Sequence, residues 1–125
     1  MLNKVLVIML VLFAIVPTSC KDEHFSFLSK TKRLTGTSWK ISSMIDTETN
    51  QNMVFSSSIY DFNEDGSLII KELVYNTQDT TSWTFLYNDN YIRIGSNTYK
   101  IKILTQKLLG LQYGSIDVFY KPYED

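Results

Sequence analysis

Residues 88–103 read Asn88-Asp89-Asn90-Tyr91-Ile92-Arg93-Ile94-Gly95-Ser96-Asn97-Thr98-Tyr99-Lys100-Ile101-Lys102-Ile103. Tyr99, Ile101 and Ile103 alternate with Lys100 and Lys102, so three apolar side chains share one face and two cations the other. A strand, with its period of two, produces that separation; a helix would scatter the same residues around its axis. Gly95-Ser96-Asn97 supplies the turn, because glycine accepts the positive φ that tight hairpins need. The stretch is therefore a β-hairpin, and its pattern recurs along the chain.

Upstream, Ser38-Trp39-Lys40-Ile41-Ser42 alternates, with Trp39 and Ile41 on one face. A polar loop over residues 47–52 leads to Ser58-Ile59-Tyr60-Asp61-Phe62, and Asn63-Glu64-Asp65-Gly66 is a strong hairpin turn. The return strand is read over residues 67–75, with a second polar loop at 76–80. Trp83, Phe85 and Tyr87 then alternate within residues 81–87. Downstream, strands are expected at 108–113 and 116–120, joined by Gly114-Ser115. Eight strands result, and no connection between them is long enough for a crossover helix, so the sheet should be antiparallel. The expected fold is all-β, an eight-stranded antiparallel up-and-down barrel, which leaves no exposed sheet edge. A flattened sandwich fits the same local pattern.

The composition averages two unlike segments. In residues 1–19, Lys4 precedes an unbroken apolar run from Val5 to Val16, followed by Pro17-Thr18-Ser19. This is the form of an export signal, and the run falls well short of the roughly 20 apolar residues that a spanning helix requires. Cleavage after Ser19 leaves 106 residues, with 11 basic and 13 acidic side chains. That balance offers no basic field for nucleic acid. Residues 20–33 read as a charged, polar tether in which Phe25, Phe27 and Leu28 could form a short helical plug with Leu34, although Ser29 and Thr31 interrupt any helical face. Residues 34–125 form the folded domain, and a monomer is expected.

The chain has one Cys, so it has no internal disulfide. Val16-Pro17-Thr18-Ser19-Cys20 resembles the lipobox of bacterial lipoproteins, with Pro17 standing where an aliphatic residue is usual. That resemblance implies cleavage before Cys20, a thioether-linked diacylglycerol on its sulfur and acylation of the new amino terminus. Two or more acyl chains anchor stably where one does not. Lys21-Asp22-Glu23 resembles the short acidic signal that exports lipoproteins of Bacteroidetes-type bacteria to the cell surface. The implied location is the outer membrane, at the cell surface or otherwise on the periplasmic face.

The domain is similar to the small lipocalin-like domains of such lipoproteins. The likeness rests on Leu34-Thr35-Gly36-Thr37-Ser38-Trp39-Lys40-Ile41, Tyr60-Asp61-Phe62-Asn63-Glu64-Asp65-Gly66-Ser67, Ser82-Trp83-Thr84-Phe85 and Tyr99-Lys100-Ile101-Lys102-Ile103-Leu104-Thr105. Gly36 and Trp39 are separated by two residues, where larger lipocalins have one. The likeness implies a binding protein in which Trp39 packs at the closed end of the barrel.

Catalysis has little to draw on. The single His, His24, lies in the tether, and Cys20 is consumed if lipidated. Asp61 and Asp65 read as surface and turn residues, and Glu72 and Asp117 as lone acids expected to face outward. Asn63-Glu64-Asp65-Gly66 suits a β-turn better than a calcium loop. No catalytic residue, metal site or cofactor is expected. Trp39, Ile41, Tyr60, Phe62, Trp83, Phe85, Tyr99, Ile101, Ile103 and Tyr120 are the expected interior residues. They either line a pocket for a small hydrophobic ligand or fill the barrel; so many large side chains on short strands favour filling. The alternative function is recognition of a protein or glycan through barrel-end residues such as Tyr87, Tyr91, Tyr113 and Tyr123.

Overall fold

A computed structural model describes residues 28–124. The segment read as an export signal, together with Cys20, Lys21, Asp22, Glu23, His24, Phe25 and Phe27, lies outside the described residues. The chain begins with a short helix, α1 (Lys30–Thr35), followed by β1 (Ser38–Asp46), β2 (Gln51–Asn52), β3 (Ser58–Phe62), β4 (Ser67–Glu72) and β5 (Thr77–Leu86). The strands β6 (Tyr91–Ile94), β7 (Asn97–Leu104), β8 (Leu109–Tyr113) and β9 (Ile116–Pro122) complete it. All neighbours are antiparallel, and β1 pairs with both β3 and β9. That last pairing closes an eight-stranded barrel and settles barrel against sandwich. The two-residue β2 adds only a short extension beside the end of β1.

Up-and-down connectivity sorts the turns onto two ends. The β3–β4, β5–β6 and β7–β8 turns share one end with α1. The β1–β3 connection and the β4–β5, β6–β7 and β8–β9 turns share the other.

The helix plugs the first end. Ser29 caps it by accepting a 3.2 Å hydrogen bond from the Lys32 amide. The residue read as interrupting a helix therefore starts one, and the tether boundary at residue 33 falls inside α1. Leu34 is fully buried, the Trp39 indole donates to the Leu34 carbonyl at 2.9 Å, and the Arg33 guanidinium donates to the Leu104 carbonyl at 2.8 Å. Around this plug, Trp39, Phe62, Leu68, Ile92, Leu109 and Leu111 form a core that excludes water.

Three local features depart from the sequence reading. The β4–β5 turn comes early: β4 stops at Glu72 and β5 resumes at Thr77, so residues 77–80, read as loop, are strand. The Glu72 carboxylate accepts from the Tyr75 amide at 2.6 Å, and Asn76 takes the left-handed conformation at φ 54°. Second, β1 runs on to Asp46, with a register shift between Ile41 and Ser43. Third, a shift between Ile101 and Ile103 interrupts β7. Such a bulge adds a residue to one strand and reverses the facing of everything beyond it.

Ile103 is consequently not an interior residue. It stands 36% exposed on the outer wall, and Leu104 turns inward in its place. Gly110 lies beneath it, where an added β-carbon would sit 2.8 Å from both Ile103 and the Phe119 ring. Only glycine fits there without displacing an apolar patch on the outside of the barrel.

Candidate functional site

The other expected interior residues divide by depth. Trp39, Ile41, Phe62, Trp83 and Tyr120 are buried in the core. Tyr60, Tyr99 and Ile101 pack against that core but stay only partly buried, as does Phe85 at the plugged end beside the β5–β6 turn.

The open end is built from residues that share a face across the ladder, since directly paired residues point the same way. Met44 pairs with Val118, Ile70 with both Tyr60 and Asp79, Ile94 with Asn97, and Ile116 with Asp46. Met44, Tyr60, Ile70, Ile94, Tyr99 and Ile116 all pack on the core and all remain partly accessible. They form an apolar funnel above the filled half. The four open-end residues that the sequence reading missed, Met44, Ile70, Ile94 and Ile116, carried only the alternation that every strand shares.

Aromatic contacts knit the interior together. Tyr60 and Tyr120 meet edge to face at 5.2 Å, Phe62 and Trp83 at 5.9 Å, and Trp83 and Phe85 at 5.3 Å. Tyr99 tilts against Tyr113 at 5.2 Å. Burial, reinforced by the Tyr60 and Tyr99 phenols, pushes the Tyr120 hydroxyl well above its ordinary pKa. Burial and then Tyr99 raise Tyr60. Both stay neutral through the physiological range.

These phenols lack partners. Among the described residues no hydrogen bond engages the hydroxyl of Tyr60, Tyr99 or Tyr120. The one buried side-chain polar atom that is both sealed and unpaired is Asp117 Oδ1, so each of the three hydroxyls keeps access to solvent.

The carboxylates also divide. Asp117 faces outward as expected but is 6% exposed, held at 2.7 Å by the Lys102 ammonium that the β7 bulge brings over it. Asp61 lies on the outer wall beside Lys71 at 3.7 Å and accepts from the Ser38 hydroxyl. Asp65 accepts from the Ser67 hydroxyl and amide within its turn, and these bonds hold its carboxyl below the usual range. Glu72 departs from expectation: its cross-strand partners Ser58 and Thr77 place it on the lumen face at the open end. Asp46 and Asp79 share that face. Among the described residues no three His, Cys, Asp or Glu side chains converge as a metal site. Nor do the described carboxylates show a buried, facing pair of the kind acid–base hydrolysis uses.

Solved structures that resemble this barrel include two from Bacteroides. A lipocalin-like protein from Bacteroides uniformis aligns with a TM-score of 0.57 and 15% identity over 73% of this chain and 99% of its own. An uncharacterized protein from Bacteroides eggerthii aligns at 0.55 and 15% over 70% and 98%. No protein-family model matches the chain, and no curated protein matches it significantly. The fold is that of a lipocalin-like β-barrel. At this identity the likeness establishes architecture alone.

Proposed function

We propose that this barrel is a non-enzymatic binder of a small hydrophobic ligand, carried on a lipid-anchored outer-membrane protein. One observation carries the binding reading: six apolar or aromatic side chains face the open half of the lumen yet remain accessible, above a core that is closed. A barrel that served only as a scaffold would gain stability by burying them, at about 25 cal/mol per Å².

The anchor rests on the sequence around Cys20. Cys20 precedes the first helical residue, Lys30, by ten positions, and α1 sits on the plugged end. A lipid at Cys20 therefore tethers the closed end, through a segment that reaches roughly 33 Å at full extension. The mouth is free to face away from the bilayer. Radiolabelled palmitate should enter the wild-type protein and be lost in Cys20→Ala; equal labelling of the two would dismiss the anchor.

Binding is tested with N-phenyl-1-naphthylamine, a neutral dye that brightens in apolar surroundings. Wild type should bind it at micromolar concentration, and Ile70→Trp, which fills the funnel, should weaken binding at least tenfold. Absence of a displaceable signal would remove the ligand reading.

A second reading has its own support. Val54 is 98%, Val74 70% and Tyr75 80% exposed. All three lie at the open end, where the Leu73 amide donates to the Ser57 carbonyl and joins the two loops that carry them. Exposed apolar clusters of this kind mark recognition surfaces. If protein or glycan recognition is the function, Ile70→Trp leaves partner capture intact while Val74→Ser and Tyr75→Ser abolish it.

A further inference from the structure

An apolar patch stands open on the outer wall. The β7 bulge turns Ile103 outward at 36% exposure, and Phe119, two strands away on β9, is only partly buried. Gly110 lies between them on β8, where an added β-carbon would stand 2.8 Å from both Ile103 Cγ2 and the Phe119 ring. The two side chains therefore close over the glycine and make one continuous surface. Phe119 pairs with Gly110 on one side and Ser43 on the other, so no bulky neighbour in the ladder shields its ring.

A cationic groove adjoins this patch at the plugged end. It measures about 580 Å³ and is lined in part by Lys107 and Lys121. Lys121 follows Phe119 by two positions on the same face of β9 and pairs with Lys40. Neither Lys107 nor Lys121 enters an ion pair among the described residues. Glu124 is the groove's single acid, so the cations outnumber it.

The described chain begins beside both features. The Leu28 carbonyl accepts from Arg33 Nε at 3.1 Å, while Nη1 of the same guanidinium donates to the Leu104 carbonyl at 2.8 Å. One side chain thus ties Leu28 to the residue that follows Ile103. Phe27 and Phe25 precede Leu28 by one and three positions, and Glu23 and Asp22 come shortly before them. Three residues span roughly 10 Å, which is the distance from β7 to β9 at about 4.8 Å per strand. Asp22 reaches roughly 20 Å from Leu28, far enough for the groove. The interior of the plugged end offers the two phenylalanines no place, because Leu34 and Trp39 already fill it at 0% exposure. Their spacing of two is the one at which a segment lying along a strand presents both side chains to it.

We propose that residues 22–27 dock on this wall. Phe25 and Phe27 cover the Ile103–Phe119 patch, and Asp22 and Glu23 lie against Lys107 and Lys121. The docking needs no lipid, so it stands apart from the anchor reading. Where Cys20 is acylated, only Cys20 and Lys21 separate the wall from the bilayer, and the plugged end is held at the membrane instead of at the end of a long tether.

The test places p-benzoylphenylalanine, a photo-crosslinking analogue of Phe, at position 25 or 27 of the full chain in cells. After irradiation and trypsin digestion, mass spectrometry should find adducts on the segments that hold Ile103 and Phe119. Ile103→Asp changes an exposed side chain, and circular dichroism checks that the barrel persists. It should lower the adduct yield at least about fivefold, by placing a charge under the phenylalanines. Lys107→Glu with Lys121→Glu should lower it about threefold, the scale of exposed ion pairs. Adducts confined to lipid, to other proteins or to other strands overturn the docking, as does a yield that Ile103→Asp leaves unchanged. Palmitate labelling of the same samples reads the anchor separately, so failure of the docking is distinguishable from failure of the anchor.

Discussion

Trp39→Ala should lower the stability of the domain by about 3–5 kcal/mol, the range for truncating a buried Trp. Trp39 is fully buried at the plugged end, and its loss removes more than packing. Its indole is the donor to the Leu34 carbonyl, so truncation strands a carbonyl at the end of α1 as well as opening a cavity beneath Leu34. A domain of this size has about 5–15 kcal/mol in total. The melting temperature should fall by roughly 12–40 °C, at about 4–8 °C per kcal/mol. Trp39→Phe keeps part of the volume but not the donor and should fall between the two. Thermal unfolding followed by far-ultraviolet circular dichroism reads the effect. A loss below 1 kcal/mol in Trp39→Ala would mean that α1 is not the structural plug described above.

Most of the barrel was legible because its signals are local. Gly66, Gly95 and Gly114 sit at positive φ in the β3–β4, β6–β7 and β8–β9 turns, and the alternation of Trp39 with Ile41 or Tyr99 with Ile101 gives the inner face directly. What the sequence concealed has two physical origins. Bulges are invisible to a period-of-two count, and one bulge exchanged Ile103 for Leu104 and carried Lys102 onto Asp117. The β4–β5 turn was masked by its own composition, since Leu73-Val74-Tyr75 looks like strand but is exposed at a hairpin tip.

Closure is non-local in a stronger sense. The β1–β9 pairing joins Trp39 to Pro122, and no local property of either residue announces it. The same pairing, with its neighbours, decides which acids face the lumen. Asp46 is on the lumen side of its strand because it pairs with Ile116, and Asp79, though exposed at the rim, because it pairs with Ile70.

Alkaline pH should destabilise the protein through Tyr120, and Tyr120→Phe should reverse the effect. In the unfolded chain this phenol ionises near its ordinary value of 10.0; in the fold, burial first and then the Tyr60 and Tyr99 phenols hold it protonated well above that. Between those two values the unfolded state binds fewer protons than the native state, so stability falls as pH rises, by about 1.4 kcal/mol per pH unit. The contribution is fully present below pH 10 and amounts to a loss of roughly 3 kcal/mol by pH 12. Tyr60, shifted in the same direction, steepens the decline. Because the Tyr120 hydroxyl has no partner, its removal should change stability at pH 7 by less than about 1 kcal/mol. The two proteins should therefore match at neutral pH and diverge above pH 10, with the Phe variant the more stable. Denaturant midpoints at pH 7, 10, 11 and 12 measure this. Absorbance at 295 nm should show the exposed tyrosines ionising first and Tyr120 only as the fold is lost. An unchanged alkaline slope in Tyr120→Phe would show that its hydroxyl is hydrated in the lumen well enough to ionise in place.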